Sequence, residues 1–170
     1  MTGIPSQVKL SWRLRDADRA ARLLITAFLL LLTAGYAIGL AFVDHTTSGT
    51  PQGIAENFRG TPENAQAAEI KYAKSSPEMF TFLHNHILSL ALVYFAVGGL
   101  FYFTSSPVGF WKEFLLLEPF IAIFTTFGGI WLMRYLSEGI SWVVLLSGIS
   151  MIGCYLVMVL FILKELWTRR

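Results

Sequence analysis

Four long apolar runs limit what this chain can fold into more than any other feature. They cover residues 23–43, 79–103, 114–133 and 140–163, with lengths of 21, 25, 20 and 24. A helix needs roughly 20 predominantly apolar residues to cross a hydrocarbon layer about 30 Å thick. All four runs meet that length. Together they hold one carboxylate, Glu118, two histidines, His84 and His86, and no Lys, Arg or Asp. Inside a bilayer the backbone must satisfy its own hydrogen bonds, which leaves helices or a closed barrel. Continuous runs of this length are helices.

Composition agrees. Of 170 residues, 55% are hydrophobic and 14% charged, with a mean hydropathy of +0.58. A water-soluble domain carries about 25% charged residues. A disordered tail, a nucleic-acid-binding module, a disulfide scaffold and an ordinary soluble enzyme are all excluded. The single Cys154 lies within the fourth run, so cysteine pairing gives no reading of compartment.

Charge placement orients the spans. Lys9, Arg13, Arg15, Arg19 and Arg22 precede the first run, Lys112 lies between the second and third, and Lys164, Arg169 and Arg170 follow the fourth. Nine of the 13 basic residues thus fall on one side of an even-spanning chain. The positive-inside rule makes that side cytoplasmic, so a bacterial inner-membrane protein with both termini inside is expected. The first run is too long for a signal-peptide core and no small-residue cleavage site follows it, so it reads as a retained anchor. Residues 12–22 read as a basic flank, or as an amphipathic lead-in along the membrane surface.

The expected fold is all-α: an integral-membrane four-helix up-down bundle with a short helical extracytoplasmic cap. Residues 1–22 form a basic N-terminal segment and residues 23–170 a single domain. The cap, residues 44–78, contains Thr50-Pro51 and Thr61-Pro62. Thr followed by Pro suits a helix start, with Thr as the cap and Pro at the first helical position. Short helices are therefore expected over 51–58 and 62–74, and Ser76-Pro77-Glu78 starts the second span.

The chain has three histidines, His45, His84 and His86, and this topology brings all of them to the outer boundary. Neutral imidazole is the commonest side-chain metal ligand. Residues two apart on a helix lie about 200° apart, so His84 and His86 point to opposite faces and only one can meet His45. Small residues thin three helices at that depth: Gly35 and Gly39, Gly128-Gly129, and Ser147-Gly148. Such residues allow close helix packing or leave room for a flat cofactor. Haem b ligated by His45 with His84 or His86 is one reading. Copper or zinc held by the three histidines with Asp44 or Glu78 is another. Met133 is a weaker axial candidate. Histidines that only sit at the bilayer edge, beside the usual Trp and Tyr belt, leave the protein with no cofactor.

Glu118 is the other candidate. A carboxyl within a span is protonated, paired or turned to a polar cavity, and Pro119 after it frees the carbonyl of Leu115. Its readings are a proton or quinone contact near the inner face, or a bond to that carbonyl or to a hydroxyl on a neighbouring helix. Arg134 and Glu138, four apart, are placed for a local ion pair. No phosphate loop, nucleophile elbow or C-x-x-C-H haem attachment appears, so the chain is not expected to be catalytic on its own.

The stretch 75–103, SSPEMFTFLHNHILSLALVYFAVGGLFYF, resembles the matching stretch of small bacterial four-span membrane proteins with a His-x-His at the start of the second helix. Those proteins resemble b-type-cytochrome-like membrane subunits of redox systems. The resemblance implies electron transfer. The expected role is a small subunit of a respiratory or photosynthetic electron-transfer complex, set among lipid and other membrane subunits. The alternatives are a cofactor-free structural or assembly subunit and a copper- or zinc-binding membrane protein.

Overall fold

The computed structural model describes residues 13–62 and 70–168. Among them lie five helices: α1 Arg19–Thr47, α2 Pro51–Arg59, α3 Ser76–Tyr102, α4 Phe110–Tyr135 and α5 Ser141–Trp167. All but α2 are long and apolar enough to cross a membrane, and each contains most or all of one predicted apolar run. The four run up and down, with α2 across the end where α1 stops. That end is called the cap end below, and the end near residues 13 and 168 the terminal end.

Local chemistry sets the boundaries. Asp18 caps α1 by accepting from the Ala21 N–H at 2.7 Å. The helix stops where Ser48 and Gly49 turn left-handed, at φ 52° and 59°. Thr50 caps α2 by accepting from the Gly53 N–H at 3.0 Å, with Pro51 in the first turn. Ser75 and Glu78 form a capping box at the start of α3, the reciprocal arrangement that satisfies two otherwise free donors.

The core is built by α3, α4 and α5. Tyr94, Val97 and Phe101 of α3 meet Ile123, Phe127 and Ile130 of α4 and Tyr155, Met158 and Ile162 of α5, all buried. Gly129 lets α4 close on α5: a Cβ there would stand 3.0 Å from Val144 Cγ2. Gly35, Gly39, Gly128 and Gly148 instead have open space where a Cβ would be, so most of the small residues thin the outside of the bundle.

The first helix stands apart from this core. Only 6% of its apolar window is buried, against 44% for α4. It rests on α2 and α5, and a knot of tyrosines holds its middle. The Tyr36 ring stacks on Tyr155, and its hydroxyl meets that of Tyr94 at 3.0 Å. Tyr94 in turn donates to the Met151 carbonyl at 2.8 Å, and Tyr155 meets Thr33 at 2.9 Å. Nearer the terminal end, the Trp167 indole donates to Thr26 at 3.0 Å.

The sequence-based expectations need correction at both ends. Leu14–Asp16 is a 3₁₀ turn folded under the bundle rather than an amphipathic helix; Leu14 is fully buried and its N–H donates to the Phe103 carbonyl at 3.0 Å. In the cap, α2 forms as expected, but the second expected helix does not extend over its described parts. Thr61 donates to Lys71 at 2.9 Å and Lys74 to Phe58 at 3.0 Å, both backbone to backbone. A helix over 62–74 would send the Lys74 N–H to the carbonyl four residues earlier; here it goes to Phe58, and the Lys71 N–H likewise goes to Thr61 Oγ1, at 2.9 Å. The remainder of that stretch lies outside the described residues.

Candidate functional site

The described histidines share the cap-end half of the bundle but differ in surroundings. Helix α3 runs unbroken through both His84 and His86, so they project to opposite sides. His86 faces the bundle. Its ring lies 4.1 Å from that of Phe82 and 5.5 Å from that of Phe127 on α4. Its Nδ1 lies 2.8 Å from the Phe82 carbonyl oxygen. A carbonyl can only accept, so Nδ1 carries the proton there, and in the neutral ring Nε2 is left with a bare lone pair. His86 nonetheless remains exposed. His84 is exposed too.

Depth makes the bare nitrogen consequential. The 27 residues of α3 span about 40 Å against a hydrocarbon layer of about 30 Å. His86, ten residues beyond Ser76, lies about 15 Å along that helix, inside the hydrocarbon when the helix is centred. Burying an unpaired polar atom there is costly.

His45 lies in the last turn of α1 and is exposed. Tyr36, nine residues earlier, points at α3 through its bond to Tyr94. Nine residues is about half a turn out of phase, so His45 faces away from α3. Among the described residues no group of three or more His, Cys, Asp or Glu side chains is placed to hold a metal ion. Met133 is fully buried.

Aromatic rings continue from His86 to the cap. Phe82 packs edge-on to Phe58 of α2 at 5.2 Å, while Phe80, Trp131 and Tyr135 follow one another at 4.9 and 4.8 Å. Beside the cap, an open cleft of about 740 Å³ is lined by Glu56, Arg59, Glu138 and Trp142 among others, and by none of the histidines. Arg134 is not paired with Glu138. Its Nε donates to the Lys74 carbonyl at 2.9 Å and its guanidinium lies over Tyr135. Arg59 likewise turns inward and donates to the Met133 carbonyl at 2.7 Å. Both guanidiniums satisfy backbone carbonyls near the cap, a stronger demand than an exposed ion pair.

Glu118 bonds across the α4–α5 seam. Ser150 Oγ is the partner of its Oε1, while Oε2 is buried and takes no hydrogen bond. The Cys154 thiol lies beside the carboxyl. Of the two bonds read from sequence, to the Leu115 carbonyl or to a hydroxyl on a neighbouring helix, the second is the one present. Nearer the cap end, Thr126 and Ser147 bridge the same seam at 2.7 Å.

Sequence reasoning missed the tyrosine knot. The available signal was position: Tyr36, Tyr94 and Tyr155 lie in mid-span, whereas an interfacial belt puts tyrosines at the rims.

A family model described as a transmembrane helical domain matches residues 48–170. The match takes in the cap and α3–α5 and begins after the end of α1. No curated protein and no solved structure matches the chain.

Proposed function

The chain belongs to the Aq_1264_TM family of transmembrane helical domains, and we propose that it serves as a small subunit of a respiratory or photosynthetic electron-transfer complex, holding haem b near the extracytoplasmic face. In this reading it lies in a bacterial inner membrane, with the cap outside and both basic termini inside. One observation carries it. Locking Nδ1 of His86 to the Phe82 carbonyl fixes the ring and turns out a nitrogen able to ligate a metal. Metal-binding histidines are commonly oriented in this way. When bound, haem iron would supply one-electron chemistry; the chain would supply the ligand, its orientation and an aromatic surround. Quinone contact at Glu118 belongs to the same reading, since its partner Ser150 is exposed on the bundle surface.

A spectrum of the purified protein tests this. A reduced-minus-oxidised band of b type supports haem. A colourless protein with stoichiometric copper or zinc favours metal capture by the histidines instead.

A second reading is a cofactor-free structural or assembly subunit, favoured by α1. That helix is scarcely buried, lies outside the matched stretch, and has open space at Gly35 and Gly39. Glycines spaced four apart allow close approach of another helix. A protein with neither haem nor metal, whose co-purifying subunits are lost on Gly35→Leu and Gly39→Leu substitution, supports that role.

A further inference from the structure

We propose that Arg13 and Lys112, at the terminal end of the bundle, hold the phosphate of an anionic phospholipid, a site independent of the haem reading. Two cations converge there on one neutral atom. Lys112 Nζ donates to the Thr104 carbonyl at 2.6 Å, and an Arg13 guanidinium nitrogen donates to the same oxygen at 3.3 Å. The two charges thus stand within about 6 Å of each other, where like charges repel. Among the described residues the one ion pair is Arg15 with Asp16, so no carboxylate neutralises either cation. Glu165, whose charge bears on Lys112, takes the Ser105 hydroxyl at 2.6 Å. Asp16 accepts the backbone N–H of Arg13 at 3.1 Å. Glu113 is next in sequence to Lys112, and adjacent residues of a helix do not face each other. An ammonium has three donors and a guanidinium five, and each spends one on Thr104. The donors left over, on two uncompensated charges, suit an oxyanion.

Depth selects a lipid phosphate. The 26 residues of α4 span about 39 Å; centred on a hydrocarbon layer of about 30 Å, the helix carries Lys112 to about 16 Å from the mid-plane, where headgroups begin. Lys112 is half-buried, with Nζ 5.8 Å from the ring centroids of Phe101 and Tyr102. Fully buried Leu14, bonded to the Phe103 carbonyl, fixes the chain next to Arg13. Around Lys112, Tyr102, Val108, Phe110 and Trp111 are each more than 60% exposed. That apolar surface can meet acyl chains while the cations meet the phosphate. Basic pockets between membrane helices bind lipid headgroups in this way.

The test uses the full chain in neutral detergent with phosphatidylglycerol, or with phosphatidylcholine of the same acyl chains, and reads bound lipid by native mass spectrometry. The wild type is expected to retain phosphatidylglycerol in preference. Arg13→Gln or Lys112→Gln should each weaken that retention about fivefold, whereas Lys112→Arg, Arg19→Gln and Lys164→Gln keep it. Excess inorganic phosphate should displace nothing. No preference between the lipids, or equal loss in all the Gln variants, overturns the proposal. Displacement by inorganic phosphate overturns it too, by assigning the site to the free ion. A second measurement needs no substitution. Amine acylation of the wild type is expected to show phosphatidylglycerol shielding Lys112 more than Lys164, an exposed lysine at the same end. Equal shielding of the two, or the same labelling of Lys112 in both lipids, overturns the site.

Discussion

The ring of Tyr36 on α1 lies flat on that of Tyr155 on α5, with centroids 4.6 Å apart and planes 5° from parallel. With the hydroxyl bonds to Tyr94 and Thr33, this stack is the main mid-span tie between α1 and the core. Intramembrane hydrogen bonds average about 0.6 kcal/mol, so Tyr36→Phe is expected to cost about that much. Aromatic pairs add about 0.5–1.5 kcal/mol beyond area. A Tyr36→Ala, Tyr155→Ala double-mutant cycle is therefore expected to show coupling of that size in detergent-denaturation stability. Additive effects would mean the stack contributes nothing.

The turn from α1 into α2 depends on a glycine. A Cβ on Gly53 would overlap the backbone carbonyl of Thr47, and backbone cannot swing aside as a side chain can. Although alanine is normally the better helix former by about 1 kcal/mol, Gly53→Ala is expected to destabilise the protein. It should also expose the cap to protease. A melting temperature at or above wild type would show that α2 does not sit this close to α1.

At the α4–α5 seam, removing one partner should be worse than removing both. Ser150→Ala leaves Glu118 Oε1 without its bond while Oε2 already lacks one; a stranded polar group costs about 1–3 kcal/mol. Adding Glu118→Met is expected to recover most of that loss, since apolar replacement of both partners is nearly neutral. Thermal melts of the two variants decide it, and a double variant no better than the single one would contradict the pairing.

The parts of this fold legible in the sequence are those governed by a length or a single-residue rule. Four runs long enough to cross hydrocarbon became four helices; Thr50-Pro51 started a helix where capping chemistry places it, and the Ser76-Pro77-Glu78 start came within one residue, with Ser75 as the cap. What failed depends on partners distant in sequence. Thr61-Pro62 has the same start signal as Thr50-Pro51, but Thr61 is drawn to Lys71 and Lys74 to Phe58. Arg134 was near enough to Glu138 for a pair, yet a free carbonyl sixty residues away at Lys74 took it. The glycines read alike in sequence, whereas the fold puts Gly129 in a tight contact and leaves Gly35 and Gly39 open. For the site, helical phase separated His84 from His86; that His86 is the ring held by a carbonyl could not be read without the contact to Phe82.

The protonation of His86 tests the account most directly. Nitrogen chemical shifts of the three imidazoles, in protein labelled with ¹⁵N-histidine and assigned by single His→Ala variants, report which ring nitrogen carries the proton. The account predicts that His86 alone holds a fixed proton on Nδ1, with Nε2 bare and shifting when haem is added. A proton on Nε2 of His86, or a ring exchanging freely between the two forms, would contradict it.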